Sequence, residues 1–325
     1  MSGSTVLITG GSGTLGRALA LQMLKNGEYS KIVIFSRDEA SQVRMAMESG
    51  YKSDRIAYCL GDVNDKESLV RAVERFKVNK IIHTAAVKHV PLAEKQPSEA
   101  IATNVTGSKN VLQVALEHGI SRVVLVSTDK AAQPHNVYGL TKALMERLMP
   151  EYDGLGKLTV NVVRFGNLLG SRGSVLELFL RRIKTEGKVI LTDPAMTRFF
   201  LRISQAAGVT LHALSHPQSG VVFIPQMRAA RMGDVVKAVF EYANVAPNIQ
   251  VIGSRPGEKI HELILGPDEM LKSALLNDFN GFILRSKAQE KPAITAPISS
   301  ENAQFMGVDE IISMISEVAS ELITA

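Results

Sequence analysis

Between residues 128 and 142 the chain carries Thr128, Asp129, Lys130, Tyr138 and Lys142, side chains that can move protons. Tyr138 and Lys142 are four apart, a spacing that puts two side chains on one helical face. A phenol beside an ammonium ionises more readily and can act as base or acid toward a carbinol. Thr128-Asp129-Lys130 ends an apolar run, and the carboxyl ends of strands are where open α/β sheets bind ligands. Each feature alone has a plain reading, a surface pair on a helix and a polar turn after a strand. Together they set a hydroxyl, a carboxylate and an amine beside the phenol.

A second group of residues suits a dinucleotide. Gly10, Gly13 and Gly16 satisfy one form of the fingerprint, and Gly11, Gly13 and Gly16 the other, with Ser12, Thr14 and Leu15 between them. Glycines there let backbone N–H groups approach a pyrophosphate at a helix N-terminus. The context supports the motif, since an apolar run precedes it and a helical pattern follows. NAD binders place an acid roughly 20 residues further on to hold the ribose hydroxyls. This chain has Ser36-Arg37 at that point and Asp38 one step later. A hydroxyl and a guanidinium suit a 2′-phosphate and favour NADP. The alternative leaves Arg37 as a solvated charge and Asp38 as a helix cap. Asp62-Val63 either reaches the adenine from the same edge or caps the helix that follows.

Such groups need a scaffold that brings strand ends together. Short Val/Ile-rich runs occupy Thr5–Thr9, Lys31–Phe35, Arg55–Leu60, Lys80–Thr84, Arg122–Ser127 and Leu158–Phe165. Without polar alternation they read as parallel strands buried on both faces. Helical patterns separate them: Leu15–Lys25, Glu39–Glu48, Lys66–Phe76 behind the capping-box spacing Asn64-x-x-Glu67, and a long helix over Ser98–Glu117. The alternation predicts an α/β fold, a doubly wound parallel sheet over residues 1–165. Residues 166–325 read as a smaller mixed α/β substrate lobe, with about 203–245 returning to the first domain. Within it we expect helices at Ser204–Ser215, Met232–Ala243 and Asp309–Leu322, a strand at Val221–Ile224 and a loop over Ser286–Gln304.

Composition narrows the function classes. The 325 residues are 45% hydrophobic and 21% charged, enough to bury a core, so disorder and coiled coil are excluded. No apolar run approaches the roughly 18 residues of a membrane helix, and Met1-Ser2-Gly3-Ser4 has no basic region of a secretory signal. The single cysteine, Cys59, rules out intrachain disulfides and suits a reducing compartment. A cytoplasmic, soluble protein is expected. The net charge of +5 has no Lys/Arg block longer than Arg181-Arg182, and there is no Trp, which argues against nucleic acid. No His/Asp/Glu cluster shows a recognised metal-ligand spacing, so no metal is expected.

Gly10-x-x-Gly13-x-x-Gly16 with Tyr138-x-x-x-Lys142 resembles the extended short-chain dehydrogenase/reductase superfamily, whose core is a Rossmann domain. Ala85-Ala86-Val87-Lys88-His89-Val90-Pro91, Ser127–Ala131, Asn136–Lys142, Arg164–Val175, Met196–Phe199 and Arg255–Glu262 resemble the soluble inverting UDP-N-acetylglucosamine 4,6-dehydratases that begin pseudaminic acid synthesis. Retaining dehydratases carry Thr-Asp-Glu where this chain has Thr-Asp-Lys, and the membrane-anchored type has Met in place of the Tyr.

The resemblance implies C4 oxidation by bound NADP, loss of water across C5–C6, reduction at C6 and inversion at C5. Tyr138 with Lys142 and Thr128 would serve O4. Lys130, made partly neutral by burial and nearby positive charge, would take the C5 proton, and protonated Asp129 would serve the departing hydroxyl. It also implies cofactor contacts from Ala85, Ala86, Lys88 and Leu168, and substrate contacts from Lys88, Asn167, Ser174, Val175, Thr197, Arg198, Arg255 and Glu258. Arg198 and Arg255 are the expected pyrophosphate clamps, whereas Lys88 reads equally as a solvated lysine. His89 and His261 are expected to be structural. A UDP-sugar substrate and a homo-oligomer follow from the same resemblance. A UDP-sugar 4- or 5-epimerase, or a non-catalytic NADP-binding sensor, is the alternative.

Overall fold

The computed structural model describes residues 3–323 apart from Arg172 and Pro256. Met1, Ser2, Arg172 and Pro256, which figure in the motifs above, lie outside the described residues.

Strand β1 (Ser4–Thr9) passes through the glycine turn into helix α1 (Thr14–Asn26). Strand β2 (Tyr29–Ser36), helix α2 (Glu39–Met47), strand β3 (Ile56–Leu60), helix α3 (Lys66–Phe76) and strand β4 (Lys80–His83) repeat the unit. Helices α4 (Val90–Lys95) and α5 (Pro97–Ile101) both open at a proline, which has no amide hydrogen to lose there. A π-helical turn over Ala102–Thr106 links α5 to helix α6 (Gly107–Glu117). Strand β5 (Arg122–Thr128), a 3₁₀ turn at Asp129–Ala131, helix α7 (Val137–Tyr152) and strand β6 (Thr159–Phe165) follow.

The remainder has short strands between helices as long as those before them. They are β7 (Asn167–Leu168), α8 (Val175–Glu186), β8 (Val189–Leu191), β9 (Thr197–Leu201), α9 (Ile203–Ser215), β10 (Val222–Pro225), β11 (Arg228–Arg231), α10 (Met232–Ala243), β12 (Ile249–Val251), β13 (Leu263–Leu265), β14 (Ser273–Leu275), β15 (Gly281–Leu284), β16 (Ile298–Ser299) and α11 (Val308–Ile323).

The main sheet runs β14-β15-β10-β6-β5-β4-β1-β2-β3. It is parallel from β3 to β10, with β15 and β14 added antiparallel at one edge. Strand order reverses between β1 and β4, which opens a crevice at their carboxyl ends. Val6, Leu7, Ile8, Ile32–Ile34, Ile81 and Ile82 are fully buried, because helices cover both faces of a parallel sheet. α1 packs against α9, while α3, α6 and α7 pack side by side. The expected doubly wound sheet is therefore present.

A second apolar cluster joins Leu176 and Phe179 of α8, Val235, Val239 and Phe240 of α10, and Ile311 and Ile315 of α11. Some elements sit elsewhere than the sequence reading put them. Helix α10, within the segment expected to return to the first domain, packs with α8 and α11. Strands β14 and β15 extend the main sheet instead of the lobe. The single helix expected over 98–117 is interrupted by the π turn. Helix α3 starts behind Asp65 with no side-chain cap bond, so the Asn64 capping box does not form.

Arg164 of β6 ties these layers together. Its guanidinium is buried and bonds both Glu146 of α7 and Glu269 beyond β13, as well as the Ile264 carbonyl. Glu146 also accepts from Ser127 Oγ. Among the described residues no helix is long and apolar enough to cross a membrane.

Candidate active site

The crevice at the switch point holds a cavity of about 480 Å³. Gly10, Ser12, Gly13, Thr14 and Leu15 line one end of it. Gly10 has φ 65°, and a Cβ there would lie 2.8 Å from the Ala85 amide nitrogen, so the turn excludes any side chain. Gly16 faces the other way. Its Cβ would come within 2.6 Å of the Gly11 backbone, so glycine lets α1 pack on the turn. The N-cap of α1 is Gly13, with no capping side chain and no acid in the first turn. An uncapped helix end with bare backbone is a phosphate cradle, and it fits the pyrophosphate of a dinucleotide.

Ser36, Arg37, Asp38, Asp62 and Val63 line the far end. Ser36 Oγ is 2.9 Å from Ser12 Oγ, and Gln42 Nε2 donates to it at 2.9 Å. Asp38 accepts from the Ser41 amide at 2.9 Å as the cap of α2. Arg37 is exposed and pairs with Asp62 at 3.3 Å, while Asp62 also accepts from the Asn64 amide. The acid nearest the expected ribose position is thus committed to capping, and the guanidinium faces the cavity.

The nicotinamide end of such a cofactor would approach β5 and α7, where Ala85, Ala86, Thr128, Lys130, Tyr138, Lys142 and Leu168 share the wall. Lys130 Nζ lies 3.1 Å from Asp129 Oδ1, 3.3 Å from Glu262 Oε1 and 3.4 Å from Asn167 Oδ1. Three acceptors surround a group with three hydrogens. Thr128 Oγ1 donates to Asp129 Oδ1 at 2.9 Å, and Asp129 Oδ2 is buried without a partner. Burial raises the Asp129 carboxyl above the usual range even against the pull of Lys130.

Two electrostatic expectations need correcting. Burial does work against the Lys130 ammonium, but Asp129 and Glu262 outweigh it and hold the group above the ordinary lysine range. It was expected to be depressed. Lys142 was expected to lower the Tyr138 phenol, yet burial pushes Tyr138 up to about 12, eased by Lys130 and a hydrogen bond with Thr128. Lys142 Nζ donates to the Val126 carbonyl at 2.7 Å. Burial brings its ammonium down to about 8, against the pull of Glu146.

Of the residues read as substrate contacts, Lys88, Asn167, Ser174 and Val175 line the cavity. Lys88 opens into it, and the enclosing walls lower its ammonium while Glu177 works the other way. Ser174 caps α8. Thr197, Arg198, Arg255 and Glu258 do not line it. Thr197 Oγ1 bonds His261 Nδ1 at 2.8 Å and Ser300 Oγ at 2.7 Å. Arg198 donates to the Thr197 and Ile260 carbonyls and faces Glu262 at 3.7 Å. Arg255 pairs with Glu258 at 3.7 Å on the surface. The two expected clamps are therefore engaged within the protein. His89 lines the cavity, whereas His261 is tied to Thr197.

Glu262 is the participant that the sequence reading passed over. It ends the stretch Arg255–Glu262, but nothing in a lone Glu 132 positions from Lys130 announces the pair. A further omission is the i,i+4 pair His212 and His216, which the fold brings to Asp278 with their ligating atoms within 4.8 Å. The Gln218 amide donates to His216 Nδ1 at 3.1 Å, which leaves the proton on Nε2, the atom facing Asp278 at 3.5 Å. That tautomer turns an N–H, not a lone pair, toward the carboxylate and opposes metal ligation through Nε2.

Residues 6–282 match the model of a family described as polysaccharide biosynthesis protein. The chain is 37% identical over 270 residues to a UDP-N-acetylglucosamine 4,6-dehydratase (inverting) of Campylobacter jejuni subsp. jejuni serotype O:2, covering 81% of this chain and 78% of that one. It is 33% identical over 327 residues to a UDP-glucose 4-epimerase of Rickettsia rickettsii, covering 96% of this chain and 95% of the relative. Among solved structures, Pen from Bacillus thuringiensis superposes with a TM-score of 0.90 at 33% identity, covering 98% of each chain.

Proposed function

The chain belongs to the polysaccharide biosynthesis protein family, within the extended short-chain dehydrogenase/reductases, and on that premise we propose that it is an inverting UDP-N-acetylglucosamine 4,6-dehydratase. The observation that carries this reading is Lys130, which shares the cavity wall with Tyr138 and has its Nζ 3.1 Å from a buried, half-unpartnered Asp129. Oxidation at C4 of a sugar needs one proton acceptor. Elimination across C5–C6 needs a second acceptor and a donor, and the site holds all three.

A nicotinamide dinucleotide, NADP on the grounds of Ser36 and Arg37, would lie along the glycine turn and supply oxidation at C4 and reduction at C6. Gly10, Ser12, Gly13, Thr14, Leu15 and Val63 would hold it, with Asp62 toward the adenine and Gly16 letting α1 pack close behind the turn. Tyr138 takes the O4 proton. Its raised position in the protein means that it must be helped, and Lys130 and the Thr128 hydroxyl are the groups at hand. Asp129 and Lys130 titrate as a unit across one short contact. When the proton rests on Asp129, the Lys130 amine is free to accept from C5, and Asp129 donates to the leaving C6 hydroxyl. Lys88, Asn167, Ser174 and Val175 would contact the UDP-sugar. A homo-oligomer through the exposed Leu140 and Leu144 of α7 belongs to the same reading.

The epimerase-named relative favours a second reading, a UDP-sugar epimerase using Tyr138 and the same cofactor. Proton NMR of UDP-N-acetylglucosamine incubated with the protein in D₂O separates the two. The dehydratase yields a C6 methyl, deuterium at C5 and couplings of the L-arabino configuration. A product that keeps its C6 hydroxymethyl while C4 or C5 inverts moves the assignment to an epimerase.

A further inference from the structure

We propose that Glu262 is the positioning residue for Lys130, a carboxylate that stays ionised through the reaction and holds the amino group while its proton moves to Asp129 and back. This rests on the dehydratase reading and extends it to a residue outside the cavity wall.

The two carboxylates on Lys130 are built differently. Asp129 faces one cation and has an oxygen with no partner. Glu262, also buried, faces two, Lys130 at 3.3 Å and Arg198 at 3.7 Å. Lys259, tied to the Ala132 and Gln133 carbonyls, adds positive field from the same segment. When neighbouring carboxyls sit in unlike environments, the one with less positive charge takes the proton. If the Lys130–Asp129 pair passes to amine and acid, an N–H bond breaks, an O–H bond forms and no charge is left over. Glu262 and Arg198 remain a neutral pair, and the amine keeps hydrogens for Glu262 Oε1 and Asn167 Oδ1.

The backbone of Glu262 is anchored to suit this. Its amide donates to Ser300 Oγ at 2.8 Å, and its carbonyl accepts from the Ser300 amide at 2.8 Å. Ser300 Oγ in turn meets Thr197 Oγ1, and the Thr197 amide donates to the Ile260 carbonyl at 2.9 Å. Thr197, Arg198 and Ser300, from two other segments, therefore fix where the carboxylate stands. This gives Thr197 and Arg198 work in the site without any contact with the sugar.

Glu262→Gln keeps the shape and removes the charge. We expect kcat to fall roughly 10–100-fold with KM for the UDP-sugar unchanged, and the acidic limb of the kcat profile to move to lower pH, because Lys130 then loses its proton more easily. Glu262→Asp should restore part of the rate. A fall in Tm with an unmoved pH limb would reduce Glu262 to a tether, and a raised KM at constant kcat would make it a substrate contact. Either would overturn the proposal. The ε-carbon resonance of Lys130 in ¹³C-lysine-labelled protein, identified by its loss in Lys130→Arg, provides a readout without turnover. It should titrate at lower pH in Glu262→Gln. If it does not, the proposal fails whatever the product; if it does while the wild type forms no C6 methyl, the dehydratase reading fails and the pairing stands.

Discussion

Two buried charge clusters stand close together along this chain, and both bind the sheet to the segment around β13. In one, Arg164 of β6 is gripped by Glu146 and Glu269, and both carboxylates meet its guanidinium in forked contacts. In the other, Lys130 sits among Asp129, Glu262 and Asn167, with Arg198 behind Glu262. The Arg164 cluster is closed and does not line the cavity. In the other cluster Lys130 and Asn167 line it, and Asp129 behind them keeps an unpartnered Oδ2. A guanidinium cannot give up its proton, so the first cluster can only hold. An amine beside a carboxyl with a spare oxygen can exchange one, so similar buried charges serve stability in one place and chemistry in the other.

The largest expected effect falls on the open cluster. Lys130→Ala should cut turnover roughly 10²–10⁴-fold and leave the fold intact, since Asp129 can take up a proton in place of its lost partner. Near-normal turnover in that variant would dissolve the distinction. Arg164→Met should do the reverse in kind. It strands two carboxylates in the interior and should cost about 3–5 kcal/mol of stability by urea denaturation; a loss below about 1 kcal/mol would show that the closed cluster is not what holds β6 to α7.

A smaller effect sharpens the contrast through pH. Burial brings Lys142 down to about 8, below its value in the unfolded chain. Between those values the unfolded chain binds more protons, so this lysine makes stability rise as pH climbs from about 8 to 10.5. Lys142→Met should flatten that rise and stabilise the protein at pH 7 by on the order of 1–3 kcal/mol. Tyr138 opposes the trend higher up, because its raised phenol makes stability fall between pH 10 and about 12. Chemical denaturation of the wild type at pH 7.5, 9 and 10 checks the sign, and a profile that falls over this range would contradict it.

Much of the structure up to Phe165 was readable in advance, because its signals are local. Lys66–Phe76 as a helix and Arg122 as the start of β5 follow from apolar runs and their stops. The glycine turn was equally legible, since its function depends on backbone freedom within seven consecutive residues. Beyond Phe165 the strands shrink to two to five residues, as at Val189–Leu191, too short for any period to register. Arg198 shows the limit on single residues. Its type suited a phosphate, but the carbonyls of Thr197 and Ile260 and the Glu262 carboxylate engage it first.

The order of short apolar runs, the turn at Gly10–Gly16 and the trio Thr128-Asp129-Lys130 beside Tyr138 and Lys142 were written in neighbouring residues, where spacing is enough to infer geometry. What the folded chain alone settled was charge. Lys130 was expected to be depressed by burial and positive neighbours, and it is held up by Asp129 beside it together with Glu262, which the fold brings in from a segment more than 130 residues away. Electrostatic balance depends on every group within a few ångströms whatever its place in the chain, so the protonation of this site was decided by packing.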